Sequence, residues 1–129
     1  MVLLFFRQQM PPEQSVPYIP VLSMNGWTDN RVHYSEGTES KRLMIERWNM
    51  KLVSAYEGRG FQSEIYVGEN SERLEYYTHN FETSYLYGLG HCFPNLVFGR
   101  NAHSCYGYNE ISWGYLVIDF FKRTAKKDF

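Results

Sequence analysis

Positive charge is scarce as a cluster in this sequence, gathering only in a short run near the C-terminus at Lys122, Arg123, Lys126 and Lys127. Thirteen Lys and Arg are balanced by 14 Asp and Glu, for a net charge of −1, and no basic stripe is present to neutralise phosphates. Nucleic acid is therefore excluded as the expected partner. Long apolar runs are also absent, so no segment reads as a membrane span. The opening "MVLLFF" is too short for the apolar region of a signal peptide and lacks a basic start and a small-residue cleavage site. The sequence as it stands thus reads without an export signal or an anchor. Repeats, low-complexity tracts and linkers are missing too, and 129 residues fit one domain with a modest core.

Cysteine is scarce. Cys92 and Cys105 are compatible with one disulfide across the intervening loop or with two buried thiols, a choice the sequence leaves open. His91, Cys92, His103 and Cys105 do not have the spacing of a structural zinc site, and no metal or other cofactor is expected.

Aromatic residues are abundant: 11 Tyr, 9 Phe and 3 Trp make up 18% of the chain. Such side chains fill β-rich cores and also stack on sugar rings, with the core as their commoner use.

Along the chain, residues 1–16 read as an irregular lead-in broken by Pro11 and Pro12, and residues 17–129 as the domain. "YIPVLSM" reads as a buried, parallel-type strand running into an Asn25-Gly26 turn. From Ser40 the pattern becomes helical. Leu43, Met44, Trp48, Leu52 and Ala55 share one face, Trp48 is assigned to the core, and Gly58 is the expected stop. Three β-like runs follow, "SEIYVG", "LEYYTHN" and "TSYLYG", with the charges of "SERLE" expected on a solvated face. The close is a helix with Asn109 as N-cap, Glu110 at its positive start, and an apolar face of Ile111, Tyr115, Ile118 and Phe121. The order of elements is that of an α/β protein.

Two places carry chemistry. In "VLSMNGWTDNRVHY" a strand ends in a glycine turn and Asp29 follows. In "TSYLYGLGHCFPN" a strand meets a Gly-x-Gly turn and His91 follows. Functional groups gather beyond the carboxyl ends of strands in open α/β sheets. A carboxylate that holds an imidazole in one tautomer, with the imidazole taking a hydroxyl proton, is the acid–base half of a Ser-Asp-His relay. Taken singly, Asp29 reads equally as a turn-capping aspartate and His91 as a polar turn residue.

The ordered set resembles the C-terminal half of the secreted α/β-hydrolase esterases grouped as polyhydroxybutyrate depolymerases and feruloyl esterases. "NGWTDNRVHY" is similar to that family's His-Gly-x-x-Asp-x-x-Val-x-Tyr. "IERWN" matches its Trp-bearing helix, "GLGHCFP" its Gly-x-Gly-His-x-Trp-Pro, and "YNEISWGYLVIDFFKRT" its closing helix. Asn25 stands where the family usually has His, and Phe93 where it usually has Trp.

The resemblance implies an α/β fold, the C-terminal portion of a three-layer hydrolase sandwich without its N-terminal strands. It implies Asp29 as triad acid and His91 as triad base. Trp27 and Phe93, beside that pair, are candidates for lining an acyl pocket and read equally as packing residues. The resemblance further implies an extracellular carboxylic ester hydrolase acting on plant-wall esters or polyesters. The sequence contains no Gly-x-Ser-x-Gly to supply the nucleophile, and neither Ser35 nor Ser104 has a glycine frame. The chain alone is accordingly expected to be inactive, its partners being the missing N-terminal half or further copies of itself. The competing reading is a non-catalytic, aromatic-rich module that binds carbohydrate or protein.

Overall fold

The computed structural model of the chain describes residues 19–83, 90–95, 104–107 and 110–125. Its strands and helices follow in the order β1 (Val21–Gly26), α1 (Tyr34–Arg47), β2 (Lys51–Gly58), β3 (Phe61–Val67), β4 (Arg73–His79), β5 (Phe93–Asn95), β6 (Ser104–Tyr106) and α2 (Trp113–Thr124). Four strands form one sheet in the order β1-β4-β3-β2, and β5 pairs with β6 in a small second sheet.

β1 and β4 run parallel, from Val21 opposite Leu74 to Gly26 opposite His79. The other neighbours in the large sheet are antiparallel. The strand expected to stop before Asn25-Gly26 instead carries both residues as its last two rungs.

Alternation along β1 and β4 divides the core in two. Val21, Leu74 and Tyr76 pack with Met44, Ile45, Trp48 and Met50 on the α1 side. Met24 and Tyr77 pack with Phe61, Phe81, Ile111, Trp113 and Leu116 on the α2 side. Each fully buried large apolar side chain contributes roughly 1.5–3 kcal/mol. These packings cover both faces of β1, as its nearly continuous apolar run requires.

The long helix expected from Ser40 to Gly58 is corrected: α1 starts at Tyr34 and ends at Arg47. Asn49 adopts the left-handed conformation, at φ 47°. The Met50 N–H donates to the Ile45 carbonyl at 2.9 Å and the Asn49 N–H to Glu46 at 3.4 Å, the paired bonds of a Schellman stop. Met50 and Ile45, the residues such a stop brings together, both lie in the α1-side core. Leu52 and Ala55 therefore belong to β2, which is exposed along nearly its whole length and is held by pairing with β3 rather than by burial.

α2 differs from expectation in its face. Tyr115, Ile118 and Phe121 point to solvent, whereas Trp113, Leu116 and Phe120 turn inward. Apolar residues surround this helix, so periodicity alone does not choose the side. Ile111 is buried but precedes the helix. Glu110 also lies before it and accepts the Arg59 N–H at 2.8 Å. Asn109 and most of "TSYLYG" fall outside the described residues.

The "SERLE" segment is not wholly solvated. Glu75 is 1% exposed, bonded to Arg73 at 2.7 Å and to Arg123 of α2 at 2.7 and 2.9 Å.

Candidate functional site

The site forms where β1 and β4 end side by side. Beyond the Gly26–His79 rung, the Trp27 N–H donates to the His79 carbonyl at 2.8 Å, and the Asp29 N–H donates back to Gly26 at 3.3 Å, closing a turn. Gly90 presses against that turn. A Cβ on Gly90 would stand 2.6 Å from the Asp29 nitrogen, and one on Gly26 would collide with the Gly90 carbonyl. Two glycines are therefore what allow the segments carrying Asp29 and His91 to meet backbone to backbone.

Asp29 divides its carboxylate between two tasks. Oδ1 accepts the N–H groups of Arg31 at 2.8 Å and Val32 at 2.9 Å, the turn-capping role. Oδ2 accepts from His91 Nδ1 at 2.9 Å. The Asp29 side chain is 3% exposed and that of His91 25%. Burial pushes the carboxyl up, but the Val32 N–H, the His91 ring and the Arg31 N–H outweigh it and hold Asp29 below the usual carboxylate range. An ionised carboxylate can only accept, so Nδ1 carries a proton toward Asp29, and in the neutral imidazole the lone pair is then on Nε2. The arrangement is an oriented base backed by a buried anion.

The other residues singled out in the sequence are placed less uniformly. Cys92 and Cys105 form a disulfide, with Cα atoms 5.7 Å apart, which holds the residue after His91 to β6. Phe93 stacks on Trp113, ring centroids 5.2 Å apart, and so packs against the start of α2. Trp27 is 39% exposed beside the Asp29 turn. Asn25 is buried beneath α1 with its amide against Gly37. Ser35 is exposed and its hydroxyl meets His33 at 3.1 Å. Ser104 lies on β6, and His103 is outside the described residues.

Sequence reading overlooked His79. It is buried at the end of β4, and burial pushes its pKa down to about 4. Its ring and the two cysteine sulfurs lie within 4.8 Å of one another. Because the sulfurs are joined in a disulfide, they offer no thiolates, and metal ligation does not fit the group in this state. A small cavity of about 10 Å³ under α1, lined by Val21, Lys41, Met44 and Tyr76 among others, has room for a single water and includes neither Asp29 nor His91. Among the described residues, no helix is long and apolar enough to cross a membrane.

No protein-family model, no curated protein and no solved structure matches this chain.

Proposed function

We propose that Asp29 and His91 are the acid–base pair of a carboxylic ester hydrolase working by a Ser-Asp-His relay, of the feruloyl esterase or polyhydroxybutyrate depolymerase type. The observation that carries this reading is the contact of 2.9 Å between His91 Nδ1 and the buried Asp29 Oδ2. It is supported by the position of Asp29 just beyond the end of β1, where Gly90 brings the segment carrying His91 against it, in a mixed sheet with a helix packed on each face. The serine belongs to polypeptide not included in these 129 residues, either from the same reading frame or from a separate chain.

The chemistry follows from the tautomer. The serine hydroxyl attacks the ester carbonyl as His91 Nε2 takes its proton, and Asp29 Oδ2 stabilises the imidazolium. Collapse of the tetrahedral intermediate expels the alkoxide, which receives that proton from Nε2. Water then loses a proton to Nε2, attacks the acyl-serine, and releases the acid as the proton returns to the serine. The oxyanion donors come with the nucleophile-bearing segment.

The test is to read the coding sequence upstream of Met1 for an in-frame Gly-x-Ser-x-Gly and to assay the extended protein on aryl and hydroxycinnamate esters. Hydrolysis that falls roughly 10⁴-fold in Asp29→Asn and on the order of 10⁶-fold in His91→Ala is expected. Hydrolysis indifferent to His91, or full activity from the 129 residues alone, would overturn the reading.

A further inference from the structure

His79 touches both arms of the site. Its main chain is the last rung opposite Gly26, and its carbonyl takes the Trp27 N–H at 2.8 Å, which holds the turn leading to Asp29. Its ring reaches the other arm. Nδ1 accepts the Phe81 N–H at 3.1 Å, so in the neutral imidazole the proton sits on Nε2. The ring's second hydrogen bond goes to the Cys92 backbone. With Nε2 as the donor, the partner there is the Cys92 carbonyl, one residue beyond His91. The Phe81 ring lies nearly parallel to the imidazole, centroids 5.6 Å apart and planes 17° apart, which limits tilting.

We propose that His79 is a positioning residue, its imidazole bridging β4 to the Cys92 carbonyl and thereby setting His91 at hydrogen-bonding distance from Asp29. Its importance for catalysis rests on the acyl-transfer reading, whereas its geometric role does not. His79 touches no reacting atom. Its burial keeps it neutral near neutral pH, so the bridge is not broken by protonation while His91 exchanges protons.

Two substitutions separate the two halves of the bridge. In His79→Gln the side-chain amide N–H occupies the region of Nε2 and still donates to Cys92. In His79→Asn the shorter side chain accepts from Phe81 but cannot reach Cys92. Imidazole ¹H–¹⁵N correlation spectra of the purified chain give the readout. The wild type is expected to show His79 as the Nε2–H tautomer and a protected His91 Nδ1–H. His79→Gln should keep the His91 Nδ1–H resonance, and His79→Asn should lose it while the amide spectrum stays folded. Equal retention or equal loss in the two folded variants overturns the proposal, because a residue that merely fills space would not distinguish the ends of its ring. Should a variant fail to fold, the wild-type tautomer decides: Nε2–H supports the bridge, and Nδ1–H or an imidazolium at neutral pH overturns it. None of these signals needs a serine or an ester, so the outcome is independent of the esterase assay.

Discussion

Arg123, in the last turn of α2, forks onto both carboxylate oxygens of Glu75, a residue in the middle of β4 with 1% of its surface exposed. Arg73 adds a third bond at 2.7 Å. The ion pair fixes the end of α2 to the sheet. Arg123→Ala strips most of the compensation from a buried charge and is expected to cost about 3–5 kcal/mol. Urea denaturation of the variant measures this directly.

Acid should attack the same element. Burial pushes the Glu75 carboxyl up, but its bonds to Arg123 and Arg73 hold it below the ordinary value of 4.5. Its stabilisation is whole above that value and is lost as pH falls through the depressed folded pKa. Changing Glu75 to Gln should reduce the loss of stability below pH 4.5, followed as urea midpoints against pH.

His79 governs a milder window. Its pKa falls from 6.5 in the open chain to about 4 in the fold, so the unfolded chain binds a proton first as acid is added. Stability is whole above pH 6.5 and should decline by about 3 kcal/mol as pH falls to 4. Removing the imidazole in His79→Gln should flatten that slope between pH 6.5 and 4.5, above the range in which Glu75 contributes.

The two oxygens of Asp29 predict two different variants. Asp29→Asn can still accept the Arg31 and Val32 N–H groups, yet its amide N–H₂ cannot accept from His91 Nδ1. The fold should persist with a melting temperature near that of the wild type, while the protected His91 Nδ1–H disappears from the NMR spectrum. Asp29→Ala also abandons the two backbone donors and should lose roughly 1–3 kcal/mol.

Gly90→Ala places a methyl against the backbone of Thr28 and Asp29, where no flexible side chain can give way. A loss of about 1–3 kcal/mol and disruption of the Asp29–His91 contact are expected, read by thermal melting and by the same His91 signal.

What the sequence made legible is local or periodic. Gly26 followed by Asp29, and Gly90 followed by His91, are turn signals of fixed spacing. They located two residues that the fold brings within 2.9 Å. The end of α1 was readable in principle from Asn49, since Asn is the common non-glycine residue at a left-handed helix stop. An apolar pattern running on through Leu52 and Ala55 masked it. Glu75 looked like any charge in a polar run, and its burial is compensated by Arg123, arriving from 48 residues away, together with Arg73 beside it. His79 was opaque because its surroundings too are assembled from distant segments. Nothing in "YYTHN" separates a turn histidine from one enclosed by Phe81, Cys92 and the end of β1.

The turn between β3 and β4 lies at the opposite end of the sheet from all this chemistry. Gly68 and Glu72 close it, Ser71 takes a left-handed φ of 67°, and Asn49 reaches across to Glu69 at 2.6 Å. β4, seven residues from Arg73 to His79, spans the distance from it to the Gly26–His79 rung, roughly 20 Å of extended chain. Glu69 and Asn70 are exposed, and the β1–β4 register does not depend on the length of the link between β3 and β4. That tip is therefore the natural place to splice in a peptide tag or attach a fluorophore: an engineer can work there without disturbing the far end of the sheet.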